Sequence, residues 1–446
     1  MEDKYVRIRN EAKTVLWKNR KEGSVQWDGT NYSYVCPSIE FYPFQWFWDS
    51  CFHAIVLTHF DINLAKEEIL NLLSAQHGDG FIPHIIFWGD REGASYWTFL
   101  QSKPPYHCSS YIQPPVIAQA VKAIFDRCGD IEFLRQTLPQ LRRYYLWLQN
   151  RDFDNDGLIS IIAPWESGLD ESPVYDSALS FPGNSYWSSR ALDLRYAEAK
   201  YDLEKIIDLG LFDVEDVLVN SIYAQGLRVL SELYRVMGNR EENVRFKSLA
   251  DRVEKAIIDK CYLDGCFYNL NNKNNKEMPA MVITVISLMP LILDNIEKDK
   301  VDNLITRHLL NPEELWLPYP IPSVARSEHS FDPIYKGQDY LWKGPTWINT
   351  NWFIVQGLLK HGYKEIACEL IKRTVELVSR SGFREFYNPW TGEGYGATDF
   401  GWSTLVVDLL DMLKVNGLEA AESQTIIDKL AEARIVKEGG VSYANL

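Results

Sequence analysis

Several things are scarce in this chain, and each scarcity removes a class of function. No stretch of about eighteen apolar residues occurs, so no helix is expected to cross a membrane. The opening residues, Met1-Glu2-Asp3-Lys4-Tyr5, are polar and carry no apolar signal-peptide core, which predicts a cytoplasmic protein. Positive charge is in deficit, 46 Lys and Arg against 61 Asp and Glu. The resulting net charge of −15 repels nucleic acid and anionic membranes, so neither is expected as a partner. The seven cysteines are odd in number and scattered; Cys261 and Cys266 are close, but no second pair or histidine cluster completes a zinc site. Reduced thiols are expected, with no metal and no other cofactor. β-signal is confined to short pieces such as 157–162, and no fixed-period repeat points to a solenoid.

Aromatic residues, by contrast, are abundant: 13% of 446 residues, with 15 Trp, 24 Tyr and 20 Phe. Many of them cluster beside Gly, Pro and carboxylates rather than on helix faces. That mixture suits a carbohydrate, because rings stack on the apolar face of a sugar while carboxylates and amides bind its hydroxyls. Between the aromatic stretches, apolar residues recur at three- and four-residue spacing. The spacing predicts helices over 4–20, 50–60, 64–76, 114–127, 131–150, 185–203, 214–237, 240–260, 280–296, 302–309, 346–361, 363–379, 401–414 and 423–438. Asp49 is expected to cap the second of these and Asp61 or Asn63 to open the third. Short links make antiparallel helical hairpins. Six such hairpins closing into a double ring give an all-α (α/α)6 barrel spanning 1–446 as a single domain, with the long aromatic loops at one end. The acidic run Asp152-Phe153-Asp154-Asn155-Asp156-Gly157 matches half of a calcium loop, but its twelfth position is Ala163, so it reads as an Asx/Gly turn.

Two stretches carry candidate chemistry. Trp165-Glu166-Ser167-Gly168-Leu169-Asp170-Glu171-Ser172-Pro173 places Asp170 in a loop where Trp165 and Leu169 exclude water. Desolvation raises a carboxyl pKa and lets it hold a proton for general-acid work; the plain alternative is that Asp170 or Ser172 caps a helix. Phe383-Arg384-Glu385-Phe386-Tyr387-Asn388-Pro389-Trp390-Thr391-Gly392-Glu393-Gly394 offers Glu385 as an ionised base in an extended segment. Glu393, between two glycines, competes with it but reads better as a surface turn. A third stretch, Lys343-Gly344-Pro345-Thr346-Trp347-Ile348-Asn349-Thr350-Asn351-Trp352, opens a helix with paired tryptophans. Gln113 before Pro114-Pro115 and Asp49 after Trp48 add polar groups at helix starts.

These motifs, in this order from about Phe41 to Ser403, resemble glycoside hydrolase family 63. Within it the chain looks most like the compact mannosylglycerate and glucosylglycerate hydrolases, and more distantly like trehalases and α-glucosidase I. The resemblance implies the (α/α)6 barrel and hydrolysis of an α-glycoside with inversion. It puts the general acid on Asp170 and the general base on Glu385. It puts sugar contacts on Tyr42, Trp46, Trp48, Asp49, Gln113, Trp165, Gly168, Trp347 and Trp402. One departure stands out. Glycerate-recognising members carry Arg-Pro-Thr-Asp followed by Tyr downstream of the acid, whereas this chain reads Gly183-Asn184-Ser185-Tyr186-Trp187-Ser188-Ser189-Arg190 there.

The expected function is therefore an inverting, exo-acting α-glycosidase on a small α-glucoside, α-mannoside or short α-linked oligosaccharide. A mannosylglycerate or glucosylglycerate hydrolase is the alternative. A catalytically silent sugar-binding protein is the alternative of another class, and the presence of both carboxylates argues against it.

Overall fold

The computed structural model describes residues 2–25, 29–88, 108–179, 185–273, 276–336 and 341–417. Helices dominate them, and the principal helices pair in sequence order: Phe47–Leu57 with Ile62–Ser74, Ile117–Cys128 with Ile131–Trp147, Val217–Val236 with Arg240–Cys261, and Ile348–Lys360 with Lys364–Ser381. Local chemistry sets their ends. Asp61 accepts from the backbone N–H groups of Asn63 and Leu64, and Asp130 does the same for Glu132 and Phe133, satisfying the orphan donors of each first turn. Every residue of the helix Phe47–Leu57 is buried. A helix of that kind packs against neighbours all round. The buried apolar side chains, from Ile8 to Leu413, make one continuous cluster.

The chain's early and late segments are stitched together. Asn19 donates to the carbonyls of Pro37 (3.1 Å) and Asp399 (2.7 Å), and the Gly401 N–H donates to Pro37 (2.8 Å). Ser38 donates to the carbonyl of Thr398 at 3.2 Å.

Several boundaries differ from the sequence expectation for physical reasons. The expected helix 280–296 is a 3-10 helix, Val285–Ile292, containing Pro290, whose missing N–H denies an α-helix its ladder. The expected helix 185–203 ends at Glu198, because Lys200 and Tyr201 take left-handed conformations (φ 58° and 51°) before Asp202 caps a new helix, Leu203–Leu209. Asp49 is not a cap: Trp46 occupies that position with no side-chain cap bond, and Asp49 is buried in the first turn. Position 423–438 lies outside the described residues. Strand is also more extensive than expected. A four-stranded antiparallel sheet joins Ser160–Ile161, Val214–Glu215, Leu270–Lys273 and Lys276–Pro279, and Arg384–Tyr387 pairs with Gly394–Thr398 as a hairpin.

Candidate active site

The segment bearing Asp170 leaves the strand Ser160–Ile161 and turns through a 3-10 helix, Pro164–Ser167. Ser167 Oγ donates to the Pro164 carbonyl at 2.6 Å and accepts from the Leu169 N–H at 3.0 Å. Gly168 follows at φ 74°, and a Cβ there would collide with the ring of Trp48. Both the left-handed backbone and the close approach require glycine. Beneath the turn, Glu166 is wholly buried and faces Arg151. The guanidinium donates twice, Nη1 to Oε2 at 3.0 Å and Nη2 to Oε1 at 2.8 Å. The same carboxylate accepts the backbone N–H groups of Ile112 (2.9 Å) and Ile162 (2.8 Å).

Glu385 sits on the first strand of the hairpin Arg384–Tyr387/Gly394–Thr398. Each of its carboxylate oxygens has a donor: the Tyr42 hydroxyl reaches Oε1 at 3.1 Å, and the Ala397 N–H reaches Oε2 at 2.9 Å. Tyr42 and Glu385 are 343 positions apart in sequence. Trp402 Nε1 donates to the Glu385 carbonyl at 2.9 Å. Gly396, at φ 67°, leaves the space that Glu385 Oε2 fills.

Asp170 and Glu385 line one cavity of about 550 Å³. Tyr42, Trp46, Trp48, Asp49, Gln113, Trp165, Gly168, Trp347 and Trp402 line it too, so every site residue expected from the sequence faces the same space. Gln113 Oε1 accepts the Trp48 N–H at 3.1 Å, joining two of these segments. Trp347 stacks on Trp342 with centroids 3.6 Å apart and planes 8° apart, and Trp402 stands edge-on to both Trp347 (5.6 Å) and Trp48 (5.7 Å). Among the described residues, Asp49 Oδ1 and the indole N–H of Trp165 and Trp347 are buried without a hydrogen-bond partner. Buried polar atoms are rarely left unpaired, and sugar hydroxyls arriving in the cavity are suitable partners. Glu393, the competing carboxylate, is exposed and outside the cavity lining.

Burial raises the pKa of both carboxyls. Asp170 is pushed up to about 6, its own backbone N–H opposing the shift. Glu385 is pushed up to about 7 by burial, against the Ala397 and Tyr42 donors, with Asp170 adding to the rise. Asp49, wholly desolvated and near Glu385, is held well above the usual carboxylate range. Water exclusion was expected to favour a proton on Asp170; the structure makes Glu385 the more buried of the two, with Asp170 half-buried on the wall.

Sequence reasoning missed His84, Glu171, Ser189, Trp342 and Phe400 as cavity residues, and named Arg190, which also lines the cavity, only as a substitute, with Arg195, for the glycerate contact. Trp342, five positions before Trp347, was the one with a legible signal. Away from the cavity, Asp154, Asp156, Glu215 and Glu277 bring carboxylate oxygens within 4.8 Å of one another. The Lys260 ammonium bonds Asp156 and lies 2.7 Å from Glu277. The acidic run itself folds as Asx turns, with Leu158 N donating to Asp156 at 2.7 Å and Gly157 N to Asp152 at 3.1 Å.

A family model described as the mannosylglycerate hydrolase MGH1-like glycoside hydrolase domain matches residues 42–403. The chain belongs to this family. It is 28% identical to the mannosylglycerate hydrolase of Thermus thermophilus over 407 residues, which cover 83% of this chain and 95% of the relative. It is 28% identical to the glucosylglycerate hydrolase of Mycolicibacterium hassiacum, covering 82% of this chain and 91% of that one. The solved structure of a family 63 mannosylglycerate hydrolase from Thermus thermophilus in complex with glucose superposes with a TM-score of 0.78, at 28% identity, over 91% of this chain and all of the other. Neutral trehalase of Saccharomyces cerevisiae shares the fold at a TM-score of 0.61 and 15% identity. Family 63 and its glycoside hydrolase activity are thus where the motifs and the cavity lead. Among the described residues, no helix is long and apolar enough to cross a membrane.

Proposed function

We propose that this chain is an inverting, exo-acting α-glycosidase whose substrate is a hexose α-linked to glycerate, built as a single (α/α)6-barrel catalytic domain. The observation that carries the reading is the placement of Asp170 and Glu385 on one aromatic-walled cavity in a chain of this family. In the reaction, Asp170 gives its proton to the glycosidic oxygen as the bond to the anomeric carbon breaks. Glu385 takes a proton from a water attacking the opposite face, so the configuration at that carbon inverts. Trp48, Trp347 and Trp402 enclose the terminal sugar, and Asp49 and Gln113 meet its hydroxyls. Arg190 lines the same cavity, and a guanidinium pairs with a carboxylate through two parallel hydrogen bonds, which suits a glycerate aglycone.

A second reading, a neutral aglycone, is favoured by the segment 183–196, which lacks the Arg-Pro-Thr-Asp pattern. A hydrolysis screen over mannosylglycerate, glucosylglycerate, trehalose and neutral α-glucosides and α-mannosides separates them. Fast turnover of either glycerate conjugate, lowered mainly in KM by Arg190→Ala, supports the first reading. Faster turnover of a neutral glycoside replaces it with the second.

A further inference from the structure

We infer that Glu166, clamped by Arg151, is a positioning residue that sets where the acid Asp170 stands, an inference that rests on the acid assignment above. Asp170 has little else to hold it: among the described residues, no side chain and no backbone N–H other than its own donates to its carboxyl. A carboxyl that lacks direct partners points where its backbone points. That backbone is the short path from Pro164 to Leu169, and Glu166 lies inside it.

The Glu166 carboxylate is saturated. Arg151 supplies two donors, and the N–H groups of Ile112 and Ile162 supply the other two, at 2.8–3.0 Å. Those partners come from three places. Arg151 ends the 3-10 turn after the helix Ile131–Trp147, Ile162 leads into the acid loop, and Ile112 precedes Gln113, which lines the cavity. One buried charge therefore fixes the acid loop to the helix behind it and to the wall that meets the sugar. Bidentate pairing adds angular as well as radial restraint, and a low-dielectric site strengthens each bond. A misplacement of about 1 Å in a reacting group costs on the order of 10²-fold in rate.

The consequence is specific to the acid. A natural leaving group needs the proton from Asp170, whereas fluoride leaves an anomeric carbon with little help. The test compares Glu166→Gln with the unaltered chain on mannosylglycerate and glucosylglycerate, and on α-mannosyl fluoride and α-glucosyl fluoride. The expected result is a loss of kcat of about 10²-fold on the conjugate, with KM little changed and the fluoride of the same sugar hydrolysed at close to the original rate. Because breaking a buried pair can unfold a protein, Arg151→Lys is measured in parallel. It keeps the charge but removes the fork, and should show a smaller loss with the same leaving-group dependence.

Equal losses on conjugate and fluoride, or no loss on either, overturn the inference and leave Glu166 with a general folding role. Asp170→Asn is the reference. If it fails to spare the fluoride, the acid assignment itself is wrong; if it spares the fluoride and Glu166→Gln does not, only the positioning role falls.

Discussion

The two walls of the cavity hold their carboxyl groups by opposite means. On the hairpin side, Glu385 is gripped directly, with a hydroxyl on one oxygen and a backbone N–H on the other. On the loop side, hydrogen bonds go to Glu166, four positions before Asp170, and the acid is left to the cavity. Under the proposed roles the difference has a use. The base must be ionised, and its two donors lower the Glu385 pKa, though burial still leaves it at about 7 against about 6 for Asp170. An acid must hold a proton and then release it to the substrate, so donors aimed at it would work against the first requirement. Firm placement through the backbone achieves rigidity without that penalty.

The largest effects test the two roles themselves. Asp170→Asn and Glu385→Gln should each lower kcat by roughly 10²–10⁴ while the circular-dichroism spectrum stays native. Glu393→Gln, on the exposed turn, should do far less, and the first-formed sugar should show inverted configuration by proton NMR. Retention, or a dead Glu393→Gln beside an active Glu385→Gln, breaks the comparison.

Next in size is Gly168→Ala. It adds a methyl group against Trp48 and asks a residue with a side chain to hold φ 74°. The acid loop must shift, and kcat should fall by about tenfold or more. Steady-state kinetics checks this, and an unchanged kcat would show that the loop tolerates displacement.

A subtler prediction concerns pH. With carboxyls near 6 and 7, the free enzyme should give a narrow bell in kcat/KM centred between those values, the two limbs belonging to the pair and not to either residue. Tyr42→Phe removes a donor that lowers the Glu385 pKa, already the higher of the two, so the alkaline limb should move to higher pH and the maximum should fall. The same substitution leaves the loop side alone, so Asp170's response to leaving group should not change.

The smallest effect is on stability. Burial raises Asp170 from 3.8 to about 6, so the folded state binds that proton more tightly than the unfolded chain does. Stability is then lost as pH rises between those values. Asp170→Asn should be more stable than the unaltered chain above about pH 6, by roughly 1–3 kcal/mol, with the gap closing near pH 4. Thermal melts across that range decide it; a variant less stable at pH 7 would mean the carboxylate is better satisfied than the cavity shows.

Much of the site was readable in advance because its residues come in short, chemically odd runs. Tryptophan beside glycine and carboxylate, as in Trp165 to Asp170, has few structural excuses, and the family pattern then assigns each position. What stayed hidden depended on partners remote in sequence. Nothing adjacent to Glu166 announces Arg151, and nothing near Glu385 announces Tyr42. Asp49 was misread as a cap because a carboxylate at a helix start has that common use; burial in the first turn was invisible until the whole helix Phe47–Leu57 was seen to be buried. Helical content was legible from periodicity, whereas the break at Lys200 and Tyr201 depends on two left-handed residues that no pattern of polarity reveals. The sheet through Glu215 escaped because its strands are two to four residues long and pair across the chain.

The stitching of Asn19, Pro37 and Ser38 to Thr398, Asp399 and Gly401 carries a consequence for how the enzyme comes into being. On the ribosome, Tyr42 waits for the 343 positions that separate it from Glu385 to be made. Contacts of such long sequence separation form slowly. The helical pairs can assemble as they appear, but Glu385 acquires its tyrosine only when these distant segments meet. With Glu385 in its proposed role, the appearance of activity during refolding should lag behind the recovery of helical signal.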